Sequence, residues 1–265
     1  MDYLNLTSAM ILALTSPILS LLLVGANPQN SESVEIAQVN FEQPKPPPDD
    51  TPGSQVGTGK RGTGSRGNCP IAASGQGLGI SLMPIIPEYG WGKIASESPT
   101  VWVYISYSNG AVATPITGEI SIEEIDTNRR LPPGKVTISL PTQSGAFPIT
   151  FASSLEANKW YRWYLVIDCT NPESGDNPSF LSTEGLIYRE TISPPLPATP
   201  QERLQFYANK GFWYDAINEA GEIYCRQPPD IANLNDWKSL WQDGNFPNEL
   251  NPELLICPTE EQVGE

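Results

Sequence analysis

Apolar positions along this chain recur with two different periods, and the change between them divides the folded part in two. From residue 79 to residue 192 the apolar residues come in short runs with period two. The firmest run is Lys159-Trp160-Tyr161-Arg162-Trp163-Tyr164-Leu165-Val166-Ile167-Asp168-Cys169. Tyr161, Trp163, Leu165, Ile167 and Cys169 form one wholly apolar face, and Arg162, Tyr164, Val166 and Asp168 form a mixed one. That alternation predicts a strand with one side in a core, and its aromatic and β-branched content suits a pleated, half-buried surface. Similar runs predict strands over residues 79–83, 100–107, 118–125, 135–140 and 184–192, with turn clusters such as Ser108-Asn109-Gly110 and Pro132-Pro133-Gly134 between them. The alternation slips at Glu123-Glu124, which predicts a bulge or a strand end. Short strands at this spacing predict a mainly β fold, an antiparallel β-sandwich of immunoglobulin or fibronectin type over residues 59–193.

The period then lengthens. Pro194-Pro195-Leu196-Pro197 breaks the β pattern, and Thr199-Pro200-Gln201-Glu202 is a capping box with proline at the first helical position. Trp213, Ile217, Ala220 and Tyr224 follow at helical spacing, Gly211 is placed to divide the segment, and Asn235-Asp236 opens a second helix with Trp237, Leu240 and Trp241 that stops near Gly244. Residues 194–265 are thus a C-terminal helical appendage. Helices this short need a surface to cover. In residues 100–107 the face opposite Val101, Val103, Ile105 and Tyr107 carries Trp102 and Tyr104. Such an outward aromatic pair serves as the seat of a docked helix or as a platform for a sugar ring, and docking is the commoner use.

The N-terminal quarter reads differently. Residues 1–26 hold an apolar run ending in Val24-Gly25-Ala26, which reads as a signal peptide or an N-terminal anchor, although Asp2 and no Lys or Arg precedes it. Residues 27–58, with Gln43-Pro44-Lys45-Pro46-Pro47-Pro48, read as a disordered Pro/Gly-rich tether. The glycine-rich stretch from Gly59 to Gly67 does not meet the phosphate-loop pattern, because Ser54 stands where its first glycine belongs and Arg61 follows Lys60.

Charge and composition narrow the function. The 15 basic and 30 acidic residues give a formal charge of −15, which repels phosphate backbones and argues against nucleic acid as a partner. Histidine is absent, which removes the commonest general base and the commonest metal ligand. The expectation is a protein that is not an enzyme and uses no cofactor or metal. Glu123-Glu124, or Asp168 with Glu173 and Asp176, are the carboxylates available to a hydrolase, and nothing in their spacing selects them.

The succession Ser65-Arg66-Gly67-x-Cys69, Pro99-Thr100-x-Trp102-x-Tyr104, Trp160-Tyr161-Arg162-Trp163-Tyr164 up to Cys169, and Tyr207-Ala208-x-x-Gly211-x-Trp213-Tyr214-Asp215-Ala216 resembles the exported, mainly cyanobacterial family known as domain of unknown function 928. The likeness runs from about residue 59 to the C-terminus. It implies an exported protein of a photosynthetic bacterium and brings no activity with it. Cys225 and Cys257 lie outside these motifs.

Four cysteines permit three pairings. The preferred one joins Cys69 to Cys169, which bracket the sandwich, and leaves Cys225 with Cys257 in the helical tail. Disulfides suit an oxidising compartment, so the expected location is the periplasm, the cell surface or the exterior, with membrane contact only through the N-terminal segment. The expected function is a non-catalytic binding or assembly module of the cell envelope, with an unknown protein or an envelope glycan as partner. In the glycan reading Trp102, Tyr104, Arg162 and Tyr164 form the binding strip. A carboxylate-based hydrolase is the remaining alternative.

Overall fold

A computed structural model describes residues 38–45, 69, 79–108, 110–169, 179–193, 195–226 and 231–258, all within the compact unit formed by residues 37–265. Nine strands precede three helices: β1 (Ile80–Pro84), β2 (Trp91–Ile94), β3 (Thr100–Tyr107), β4 (Thr117–Glu124), β5 (Arg129–Arg130), β6 (Val136–Ser139), β7 (Gly145–Thr150), β8 (Lys159–Asp168), β9 (Phe180–Arg189), α1 (Pro200–Asn209), α2 (Trp213–Arg226) and α3 (Ile231–Asp243). The strands form a three-stranded sheet in the order β1-β3-β7 and a six-stranded sheet in the order β2-β9-β8-β4-β5, with β6 also on β4. All pairings are antiparallel except that of β2 with β9. Strand β2 lies between β1 and β3 in sequence, and both belong to the other sheet, so it reaches β9 without a hairpin.

The sandwich core follows from the alternation. On β8 the apolar face is fully buried: Tyr161, Trp163, Leu165 and Ile167 are all within 1% of complete burial. Ile120 and Ile122 of β4 stand opposite Leu165 and Trp163. On the other side Gly185 of β9 stands opposite Trp163. A Cβ at Gly185 would lie 2.6 Å from Trp163 Nε1, so the indole occupies the space that glycine leaves. On the smaller sheet Val103 is flanked by Pro84 and Phe147, and Ile105 by Leu82 and Gly145, giving the facing apolar layer. Residues of both layers belong to one buried cluster. A disulfide joins Cys69 to Cys169 at the end of β8, with Cα atoms 5.0 Å apart.

The slip at Glu123-Glu124 is a strand end: β4 stays in register with β8 through Glu124, and the chain turns at Asn128 with φ 50°. Strands β2, β5 and β7 are additions to the predicted set. The first two are too short to show a period. In β7 Pro148 interrupts the apolar run, and proline is tolerated because this strand lies at an edge.

The predicted capping box is present at α1: Thr199 Oγ1 accepts the Glu202 N–H at 3.2 Å, and Glu202 Oε2 accepts the Thr199 N–H at 3.3 Å. Gly211, at φ +70°, separates α1 from α2. Helix α3 begins at Ile231, four residues before the predicted start, and Asp236 is a buried interior residue rather than an opening one. Of the tether expected over residues 27–58, residues 27–37 and 46–58 lie outside the described residues, and residues 38–45 are packed rather than free. Residues 38–45 run over the helices as an extended strap, with Val39 only 1% exposed and the Glu42 N–H donating to the Ala208 carbonyl at 3.0 Å.

The helices cover the outer face of the three-stranded sheet. Trp102, 1% exposed, lies against Gly221 of α2, meets Trp237 of α3 at 4.9 Å between ring centroids and donates its Nε1–H to Asn218 Oδ1 at 3.3 Å. Tyr104 meets Trp241 at 6.0 Å. The first turn of α2 reaches the larger sheet: Tyr214 OH accepts from Trp163 Nε1 at 3.1 Å and donates to the Leu186 carbonyl at 2.9 Å. Trp213 Nε1 donates to the Ile85 carbonyl at 2.9 Å. A second disulfide, Cys225–Cys257, holds the C-terminal segment, whose Leu254 carbonyl and Ile256 N–H bond Ala146 and so cover the edge of β7. Layer order is therefore helices, small sheet, large sheet.

A Cβ at Gly221 would stand 2.2 Å from Trp102 Cζ2. Gly221→Ala gains about 1 kcal/mol of helix propensity and loses about 1–3 kcal/mol to overpacking. The 2.2 Å overlap should win, giving a net loss of up to about 2 kcal/mol read as a lower urea midpoint with unchanged slope.

Candidate functional site

Trp102 and Tyr104 are buried beneath α2 and α3, so the aromatic pair is the seat of docked helices and not an open platform. Arg162 and Tyr164 lie on the outward face of β8, in the other sheet. The four residues of the expected strip therefore do not meet: one pair faces the helical layer, the other faces away from the sandwich core on the opposite side.

That opposite face carries a second set of aromatic and charged side chains. Across β2, β9, β8 and β4 the register aligns Trp91, Leu186, Arg162 and Glu123 in one row. The next row holds Lys93, Tyr188 and Trp160. Aromatic rings form a connected series: Tyr89 meets Trp91 at 5.4 Å, Trp91 meets Trp160 at 5.5 Å and Trp160 meets Tyr188 at 5.0 Å. Trp160, between its neighbours, is 2% exposed, while Tyr89, Trp91 and Tyr188 remain half-buried. Beside them Tyr164 OH donates to Glu123 Oε1 at 2.5 Å. The Tyr164 phenol is held above its ordinary pKa, first by burial and then by this bond, with Arg162 opposing. Lys93 pairs with Glu190 at 3.2 Å and lies 4.5 Å over the Phe212 ring. Three buried polar atoms of this region, Tyr89 OH, Trp160 Nε1 and Arg162 Nε, have no hydrogen-bond partner among the described residues. The sequence signal for Trp91 and Tyr188 was faint, since their proximity arises from the parallel pairing of a four-residue strand.

The carboxylates do not assemble into an acid–base pair. Glu123 and Glu124, adjacent on β4, point to opposite faces. Glu124 is 4% exposed and paired with Lys159 at 3.0 Å and Arg129 at 3.7 Å. Lys159 also meets Glu156 at 2.8 Å, and these bonds hold its ammonium above the usual lysine range. Asp168 is exposed at the end of β8, while Glu173 and Asp176 lie outside the described residues. Among the described residues no group of three or more His, Cys, Asp or Glu is placed to hold a metal ion. No described helix is long and apolar enough to cross a membrane, and residues 1–26 lie outside the described part.

The fold and the face together define a helix-covered β-sandwich with one aromatic, polar-fringed sheet surface. Residues 61–253 match the family described as Domain of Unknown Function (DUF928), and the chain belongs to that family. No curated protein matches the chain.

One carboxylate ties the helical layer to the larger sheet. Asp215, in the first turn of α2, accepts the Ala95 N–H at 2.6 Å and the Ser96 N–H at 3.2 Å just beyond β2. Burial pushes its pKa up to about 7 and outweighs the two amides, which pull it down. The folded state then holds a proton that the unfolded state has released, so this group's contribution to stability is full below about pH 4 and is lost as pH rises through about 7. Urea midpoints of Asp215→Asn and the parent, compared between pH 4.5 and 7.5, should differ in slope, with the variant losing less stability on going to the higher pH.

Proposed function

We propose that this protein is a non-catalytic binding or assembly module of a bacterial cell envelope, exported through its N-terminal segment and meeting its partner with the outer face of the six-stranded sheet. A single observation carries the reading. The outer face of the smaller sheet is covered by the chain's own helices, whereas the larger sheet keeps Trp91, Tyr188, Arg162 and Tyr164 half-buried on its outer side. Half-exposed aromatic residues with an arginine among them are the composition enriched at recognition surfaces. Two disulfides fit an oxidising compartment.

A glycan partner is the second reading, and a specific observation favours it. The rings of Trp91 and Tyr188 stand beside the hydrogen-bonding groups of Arg162 and the Tyr164–Glu123 pair, a combination that suits a ligand with apolar faces and a polar rim. Trp102 and Tyr104 take no part in it.

The test replaces Tyr164 with a photoreactive residue in the full chain and irradiates cells or envelope fractions. Adducts of defined size are expected from position 164 and not from exposed Thr127, and they should fall at least tenfold in Trp91→Ala/Tyr188→Ala while the melting temperature and both disulfides persist. Matching adduct patterns from positions 164 and 127 would refute the assignment of the surface. Retention on neutral polysaccharide, abolished by the same double substitution, would select the glycan reading.

A further inference from the structure

The strap of residues 38–45 lies in a groove that the helices form for an extended peptide. Asp236, Ser239 and Asp243 of α3 follow i, i+3, i+7 spacing and so share one helical face. Each bonds the strap's backbone. Asp236 Oδ1 accepts the Val39 N–H at 3.3 Å, Ser239 Oγ donates to the Val39 carbonyl at 2.5 Å and Asp243 Oδ2 accepts the Phe41 N–H at 2.8 Å. The Ala208 carbonyl, near the end of α1, accepts the Glu42 N–H at 3.0 Å.

Two side chains complete the recognition. Val39 is 1% exposed, and the Phe41 ring stands edge-on to Trp213 at 5.0 Å. Gly211 makes room for the chain that follows: a Cβ there would lie 2.8 Å from the Glu42 carbonyl oxygen and 3.1 Å from Pro44. The groove thus reads an extended backbone with apolar residues two positions apart. With the strap in place Asp236 and Ser239 are each only 7% exposed, and their bonds to Val39 stand in for bonds to water.

We propose that this groove also accepts residues 38–45 of a second copy, so that chains crowded on one surface join by exchanging straps. Recognition runs mostly through backbone groups and two side chains, and a second copy offers the same ones. The strap reaches Cys69 through residues 46–68, which fully extended span about 75 Å, several times the radius of gyration of about 17 Å for a body of this length. That stretch contains Pro46, Pro47, Pro48 and Pro52 and six glycines from Gly53 to Gly67. A connection of that length keeps the chain's own strap at an effective concentration of about millimolar, so exchange competes when neighbouring copies approach that density. The proposal makes no use of the outer sheet face, and either can fail without the other.

The experiment uses the full chain with Phe41→benzoylphenylalanine, whose aromatic ring takes the place beside Trp213. Normal and heavy-isotope copies are mixed, unfolded together with disulfides intact, refolded at micromolar and at about millimolar concentration, and irradiated. Mass spectrometry of the cross-linked peptides should find adducts between the strap and the helical layer. In an equal mixture, the share of light-strap adducts that join a heavy body should rise with concentration toward half. Asp236→Asn/Asp243→Asn should lower all strap adducts several-fold. Adducts confined to light–light and heavy–heavy pairs at the higher concentration would overturn the proposal. Light scattering of the unsubstituted chain after the same refolding provides a second reading that needs no photoreactive residue. Dimers lost in Val39→Asp are expected, and an entirely monomeric chain at the higher concentration would also overturn it.

Discussion

The seating of Trp102 against Gly221 is the contact on which the layering of this protein depends. Strand β3 is apolar on both sides: Val101, Val103 and Ile105 enter the sandwich core, and Trp102 and Tyr104 point away from it. A sheet of three strands with two apolar faces needs a layer on each, and the larger sheet supplies only one. Helices α2 and α3 supply the other. The indole occupies space that any side chain at position 221 would fill, so the helix backbone approaches the sheet closely at this point. The Tyr214 bonds to Trp163 and Leu186 then fix where α2 begins relative to the larger sheet. With both anchor points set, the helix has little freedom to slide, and the Cys225–Cys257 disulfide carries the C-terminal segment from α2 to the edge of β7.

Much of this was legible in the residues because it rests on local chemistry. The period-two runs located β3 and β8 to within a residue, and the capping box at Thr199 located the start of α1. The cysteine pairing also agrees with the favoured arrangement. What the alternation could not convey was which sheet each strand would join. It separates the two faces of one strand, but it does not relate a face of β3 to a face of β8. Alternation alone therefore groups Trp102 with Arg162, although they face opposite sides of the molecule. The aromatic series from Tyr89 to Tyr188 stayed hidden for a related reason: a four-residue strand shows no period, and its parallel partner lies some 95 positions further on.

Asn235-Asp236 has the composition of a helix opening because such side chains ordinarily satisfy the free amides of a first turn. Here the amide that Asp236 satisfies belongs to Val39, almost two hundred positions away, so helix α3 continues through it. The Val39-x-Phe41 alternation was present in the sequence, but two apolar residues beside a proline-rich stretch are too short a signal to outweigh composition. Local rules fail at this point because the hydrogen-bonding partner is distant, and long-range polar contacts leave almost no periodic trace.

The two outer faces of the sandwich differ in what their aromatic residues have found. On the smaller sheet Trp102 donates to Asn218 and is enclosed by α2 and α3, so its apolar area and its polar atom are both accounted for within the chain. On the larger sheet Trp91 and Tyr188 shelter Trp160, yet they keep part of their own rings uncovered, and Trp160 Nε1 and Arg162 Nε have no bond among the described residues. Buried donors without acceptors cost stability, and the chain could lower that cost by replacing tryptophan with an aliphatic residue or arginine with a shorter one. Trp237 Nε1, enclosed in the helical layer against Trp102, is likewise without a bond among the described residues, so unpaired donors alone do not set the large sheet apart. What distinguishes the two faces is cover: the smaller sheet lies beneath the helices, and the larger sheet keeps Trp91 and Tyr188 partly exposed.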